Sequence, residues 1–200
     1  YDGTTAGSGS VALSGVVSGD TVGTTAGTWT FADRNAGTGK TVTVSGVGLT
    51  GADAGNYTVT IPATALADIL QRSLTVTLTA SNKTYDGTTA GSGSVALSGV
   101  VSGDTVGTTA GTWTFADRNA GTGKTVTVSG VGLTGADAGN YTVTIPATAL
   151  ADILQRSLTA TLTASNKTYD GTTAGSGSVA LSGVVSGDTV GTTAGTWTFA

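Results

Sequence analysis

Cysteine, histidine, methionine and glutamate are all absent from these 200 residues, and proline occurs only twice, at Pro62 and Pro146. Without cysteine there can be no disulfide framework. Without histidine as well, the commonest ligands of zinc, copper and non-haem iron are missing. The same gaps remove the usual nucleophile–base pairs, because no imidazole, thiol or glutamate stands ready to activate the many hydroxyls. The chain is therefore read as a non-enzyme, with no catalytic, cofactor-binding or metal-binding residues. Charge is scarce too: 10% of residues are charged, and the net charge of −4 is far from the basic footprint of a nucleic-acid binder. No hydrophobic run approaches the roughly 20 residues needed to cross a bilayer, so membrane insertion of this segment is not expected.

Glycine, by contrast, fills 33 positions, and threonine and serine alternate with valine and leucine along much of the chain. That composition suits strands and turns rather than helices. Tyr-Asp-Gly-Thr-Thr stands at Tyr1, Tyr85 and Tyr169, a spacing of 84 residues both times. Residues 1–116 laid on 85–200 match at every position except Val76 against Ala160, so the chain is a tandem array. Counted from the alternating run that begins at Leu74, it divides into 1–73, a copy lacking its first strand, 74–157, a complete copy, and 158–200, a partial copy. Both ends fall inside copies, which makes an excerpt of a longer array the expectation. Each copy is of domain size but small, able to bury only about 60–65% of its unfolded surface.

Within a copy, Leu74-Thr75-Val76-Thr77-Leu78 alternates with period two, which puts Leu74, Val76 and Leu78 on one face of a strand. It leads into Tyr85-Asp86-Gly87, an aromatic to bury, a carboxylate to cap the next amides and a glycine free to take positive φ. Val95 with Leu97, Trp113 with Phe115, Val126 with Val128, and Tyr141 with Val143 and Ile145 each share the inward face of a further run. Glycine-rich stretches at 99–111 and 130–139 read as connections, with Asp137 as a cap, and Pro146 ends a ladder. Leu150, Ile153 and Leu154 fit helical spacing within 147–155, but the extended flanks favour a strand. The expected fold is all-β, a tandem array of small antiparallel β-sandwich-like domains of six or seven strands, with β-grasp-like repeats as the alternative. A parallel β-helix is disfavoured, since its coils would recur every ~20–30 residues. Only Gln155-Arg156-Ser157 separates two copies, so stiff coupling is expected. Leu66, Ile69 and Leu70, with Leu150, Ile153 and Leu154, are expected at the interface between copies.

The unit resembles the YDG-type repeats of very large bacterial surface and secreted proteins, a haemagglutinin-like, filamentous adhesin family. The resemblance is carried by Lys83-Thr84-Tyr85-Asp86-Gly87-Thr88-Thr89, Val101-Ser102-Gly103-Asp104, the run 115–124 through Asp117-Arg118-Asn119, and Leu133 to Tyr141 through Asp137-Ala138-Gly139-Asn140. It implies an extracellular or cell-surface location, secretion by a two-partner or related route, and stalk modules without catalytic residues. On that reading the chain is a structural repeat forming the stalk or shaft of a surface adhesin or extracellular filament. Its partners would be neighbouring repeats and other copies in a fibre. The alternative function is a glycan-binding module repeated for avidity.

Several local signals have simpler readings. Asp117-Arg118-Asn119 and Asp137 to Asn140 offer oxygen ligands that calcium would accept, yet their spacing matches no known calcium loop, and turn capping is preferred. Asn82-Lys83-Thr84 and Asn140-Tyr141-Thr142 are formal glycosylation sequons that a threonine-rich chain produces readily. Trp113 and Phe115 could form a sugar-stacking platform if exposed, but so few large apolar residues are available that the core needs them. Lys83 or Lys124 could be imagined in an isopeptide crosslink, but no glutamate assists. Gly121-Thr122-Gly123-Lys124-Thr125 lacks the first glycine of a phosphate loop and leads into a strand, so it is no nucleotide site.

Overall fold

The computed structural model describes residues 1–200 and contains strands, turns and two short 3-10 turns, with no α-helix. The first copy forms β1 (Ala6–Gly7), β2 (Gly23–Thr24), β3 (Thr28–Phe31), β4 (Gly37–Ser45), β5 (Leu49–Thr50) and β6 (Thr64–Ile69). The second forms β7 (Arg72–Ala80), β8 (Lys83–Thr84), β9 (Gly93–Ser98), β10 (Gly107–Thr108), β11 (Thr112–Phe115), β12 (Gly121–Ser129), β13 (Leu133–Thr134), β14 (Tyr141–Val143) and β15 (Thr148–Leu154). The third contributes β16 (Thr159–Ala164) and β17 (Gly177–Ser182). The 3-10 turns are Ala54–Asn56 and Ala138–Asn140. The all-β expectation is met, and the strands lie in several small, mainly antiparallel sheets.

Contacts gather the chain into two compact units: Tyr1–Thr77 with Ala96–Thr109 and Gly132–Ile145, and Leu78–Val95 with Ala110–Val131 and Pro146–Ala200. The second copy therefore contributes residues to both.

In the first unit the antiparallel sheet runs β1-β3-β4-β6, with β2 paired to β5 and β10 to β13. The alternation of β4 buries Val42 and leaves its threonines in solvent, as a half-buried strand requires. The start of β7 pairs with β14 in parallel, Tyr141 opposite Arg72 and Val143 opposite Leu74, which buries Leu74 and Tyr141. Parallel neighbours were not anticipated from alternation, which is the same for either strand direction. A tight approach of backbones fixes Gly135, whose φ is +109° and where a Cβ would sit 2.3 Å from the Thr105 carbonyl oxygen. Gly139, in the 3-10 turn, has open space around the same point. Gly135→Ala is thus expected to destabilise the first unit by about 1–3 kcal/mol or more. Gly139→Ala should be neutral or stabilising by up to about 1 kcal/mol. Chemical denaturation of both variants checks the pair, and equal effects would refute the steric account.

In the second unit the sheet order is β11-β12-β15-β8, with β8 parallel to β15. Trp113, Phe115, Val126, Val128, Ala151 and Ile153 form its buried core, and Leu78, Tyr85 and Val95 pack against it. The inward placement of Trp113, Phe115, Val126 and Val128 agrees with their alternation. Residues 148–154 form a strand, as their flanks indicated. β15 pairs with β12 and turns Ala151 and Ile153 inward, small and medium side chains against the two large rings. Its leucines consequently face out. Leu66, Leu70, Leu150 and Leu154 are 72%, 73%, 66% and 50% exposed, and Ile153 is buried in the core of its own sheet. The expectation that these residues build an interface between copies is therefore wrong, and the rigid apolar junction inferred from them goes with it. Helical spacing was a poor guide to them because, on a strand, Leu150 and Leu154 fall on the face opposite Ile153.

Candidate functional site

The residues that connect one copy to the next are polar, and their placement starts from the Tyr-Asp-Gly turn. Asp86 Oδ1 accepts the Thr88 amide and hydroxyl, each at 2.9 Å, and lies 2.7 Å from Lys83 Nζ. Gly87 follows at φ +79°, as its turn required, and a Cβ there would lie 2.8 Å from Val185 Cγ1, a residue of the third copy. Only glycine meets both demands. The turn holds the half-buried Tyr85 ring against the core and sends its hydroxyl to Asp188 Oδ2 of the third copy, at 2.6 Å. Arg118 Nη2, from the turn after β11, approaches the other oxygen of Asp188 at 3.5 Å.

The same arrangement recurs, more tightly, in the first unit. Tyr1 donates to Asp104 Oδ2 at 2.7 Å, and Tyr141 donates to the same oxygen at 2.6 Å. Arg34 Nη1 lies 3.0 Å from Asp104 Oδ1, an ion pair not aligned as a hydrogen bond. Arg34 Nη2 donates to Asp137 Oδ1 at 3.1 Å. The Asp104 side chain has no solvent exposure, so a buried carboxylate is held by one guanidinium and two phenols. Around it the rings of Tyr1 and Tyr141 meet edge to face at 5.4 Å. The Ala36 amide donates to Asn140 Oδ1 at 2.8 Å, and Gln71 Nε2 donates to the Gly139 carbonyl at 2.9 Å. Asp20, at the equivalent position of the first copy, accepts only the Tyr57 hydroxyl, at 2.5 Å, and has no cation beside it. Three identical aspartates thus sit in two environments.

Hydrogen bonds from Tyr141 and Tyr1, reinforced by Arg34, hold the Asp104 carboxyl below the usual range despite its burial. Burial first, and the bond to Asp104 second, push the Tyr1 phenol up to about 12. The bond to Asp188 raises Tyr85, and burial raises Tyr141. Lys83, followed by the Thr88 amide and hydroxyl, draws Asp86 down to about 2.

Carboxylates lowered on folding stabilise above their unfolded value of about 3.9, and that contribution is lost as pH falls through the folded values. Phenols raised on folding stabilise fully below about 10, and that contribution is lost as pH rises through the folded values, about 12 for Tyr1. The chain has no histidine, the side chain that ordinarily changes charge between these two ranges. Thermal melts followed by circular dichroism should therefore show a plateau from about pH 5 to 9, an acid decline between about 4 and 2 and an alkaline decline between about 10 and 12. A marked slope inside the plateau would contradict this assignment.

The residues singled out in the sequence fall as follows. Asp117 accepts the Asn119 amide at 2.7 Å and Lys124 Nζ at 2.6 Å, which makes it a turn cap paired with a cation. Asp137 gives no cap to its 3-10 turn; its Oδ2 accepts the Thr105 amide instead. Asn140 is 4% exposed, and Asn82 accepts the Asp152 amide at 2.7 Å. Trp113 and Phe115 are buried. Asp104, Asp188, Arg34 and Arg118 were missed as a set, because Tyr1 and Asp104 are 103 residues apart and no local pattern joins them. The usable signal was that every junction pairs an Asp-Arg-Asn turn with a Ser-Gly-Asp turn one period on.

A family model described as the YDG domain matches the chain over residues 1–65, 71–149 and 155–200. No curated protein and no solved structure matches it.

Proposed function

The chain belongs to the YDG domain family, and we propose that its copies are structural modules of the stalk or shaft of a bacterial cell-surface adhesin or extracellular filament. The observation that carries this reading is the repeated polar clamp. Tyr1 and Arg34 of the first copy hold Asp104 of the second, and Tyr85 and Arg118 of the second hold Asp188 of the third. Residues spent on grasping the next copy are what a load-bearing array needs, and a series of independent binding heads would not need them. The alternative, a glycan-binding module acting by avidity, loses its best candidate platform. Trp113 and Phe115 are 7% and 2% exposed in the copy that has both flanking copies. An extracellular setting is what the family resemblance implies.

The test is mechanical. When the chain is stretched by its ends in a single-molecule experiment, distinct unfolding events are expected, at lower force in Arg34→Ala and Arg118→Ala. Extension at low force without such events would reject the shaft. Specific binding on a glycan array, abolished by Trp113→Ala in a folded protein, would establish the avidity reading in its place.

A further inference from the structure

The two Asn-X-Thr triplets of the second copy are treated in opposite ways by the fold. Asn140-Tyr141-Thr142 is sealed. Asn140 is 4% exposed, its Oδ1 accepts the Ala36 amide, its Nδ2 donates to Asn35 Oδ1 at 3.3 Å, and the neighbouring Tyr141 is buried with its hydroxyl on Asp104. A sugar on that nitrogen would break the contacts that join two copies. Asn82-Lys83-Thr84 is open. β8 is the outermost strand of its sheet, and Lys83 turns inward from it, donating to the Thr88 and Ala90 carbonyls, each at 2.9 Å, and standing over the Phe115 ring. The pleat therefore sends Asn82 and Thr84, two residues apart, to the outward side, and both are exposed. The Asp152 amide fixes the asparagine through its carbonyl oxygen, at 2.7 Å, so that Nδ2 is left without a protein partner, as is the Thr84 hydroxyl. Leu154, opposite Thr84 in the register of β15 and β8, is 50% exposed, which gives a sugar on this side an apolar surface to cover.

We propose that Asn82 is a glycan attachment site, repeated at Asn166 in Asn166-Lys167-Thr168. Asparagine-linked glycosylation takes Asn-X-Thr on an accessible surface, with the amide nitrogen as acceptor and the hydroxyl two residues on as the recognition element. The co-reactant is a sugar joined through its anomeric carbon to a nucleoside diphosphate or a lipid diphosphate, and a transferase brings the two together. Asn82 Nδ2 bonds to the anomeric carbon as the bond from that carbon to the diphosphate oxygen breaks. The diphosphate leaves with the electron pair, and the proton shed by Nδ2 passes to a base of the transferase. No oxidant or reductant is needed. This inference rests on one open triplet and one sealed one, and stands whether or not the array is a shaft.

Peptide mass spectrometry of the protein isolated from the cells that produce it tests the proposal. Trypsin releases residues 73–83, which carry Asn82, and 157–167, which carry Asn166, and the exchange of Val76 for Ala160 gives the two peptides different masses. Both are expected to bear sugar. Thr84→Ala, which removes a hydroxyl with no partner in the fold, should abolish the sugar on 73–83 while 157–167 keeps its own, and Thr84→Ser should restore it. In an Asn56→Gln background, which gives 125–156 a mass distinct from that of 41–72, Asn140 should be bare. Sugars added one at a time identify a nucleoside diphosphate donor and a block transferred whole a lipid-linked one; either supports the site. A bare 73–83 in the native protein overturns the proposal. So does sugar that survives Thr84→Ala, and so does sugar on Asn140 at the level of Asn82.

Discussion

Phe115→Ala is expected to cost the second unit about 3–5 kcal/mol, while Phe31→Ala, the same substitution one period earlier, costs the first unit about half as much. The two phenylalanines have identical sequence neighbours from Tyr1 and Tyr85 onward, so propensity and turn chemistry cancel in the comparison. What differs is the cover. Phe115 is 2% exposed beneath a complete sheet in which β8 flanks β15, Leu78 and Ala80 close the layer and Lys83 Nζ stands 5.7 Å from the ring centroid. Phe31 is only half-buried, and its sheet ends at β6 with no strand in the place of β8. A truncated ring that water can already reach leaves less cavity and loses less transfer free energy than a sealed one. Denaturant unfolding followed by tryptophan fluorescence measures both variants. Equal losses would show that the cover contributed by β8 does not govern the core.

This dependence on cover also explains what could and could not be read from the sequence. Period-two alternation placed Trp113, Phe115, Val126 and Val128 inward because the signal is local and each strand carries it in full. The positive φ of Gly87 was legible for the same reason, being a requirement of its own turn. Strand direction was not legible: nothing within Tyr141-Thr142-Val143 distinguishes a parallel neighbour at Arg72 from an antiparallel one. The outward leucines of β15 misled because large apolar residues are ordinarily assigned to an interface, yet a strand has two faces, and its inner one was already occupied by Ala149, Ala151 and Ile153. The clamp lay beyond reach, since its members are polar, occur in turns that compositional reasoning assigns to capping, and meet only across copies. Its visible trace was the recurrence of a Ser-Gly-Asp turn in every copy and of an Asp-Arg-Asn turn in the first two, the latter with a lone arginine among Asp, Asn, Ala and Gly.

Removing the carboxylate at the centre of the clamp should have a large effect at one position and a small one at its twin. Asp104→Ala is expected to lower the melting temperature of the first unit by roughly 10 °C or more, the scale on which several lost charge-assisted bonds register in a domain of this size. Both the Tyr1 and Tyr141 hydroxyls would lose their acceptor at once, and Tyr141 is 3% exposed, so its hydroxyl has little access to water in compensation. Arg34, 39% exposed, would keep Asp137 as a partner and could turn partly to solvent, so the cost falls chiefly on the phenols. Asp20→Ala breaks one such bond, that of the half-buried Tyr57, and removes no ion pair, so its effect should be a small fraction of the other. Asp104→Asn separates charge from shape, because the amide oxygen can still accept from one phenol while the attraction to Arg34 disappears; it should fall between wild type and Asp104→Ala. It should also remove the part of the acid decline that Asp104 contributes, since a group that no longer titrates carries no linkage to pH. Equal losses from Asp20→Ala and Asp104→Ala would mean that the grip of one copy on the next adds nothing, and an unchanged melting temperature in Asp104→Asn would mean that shape alone holds the junction.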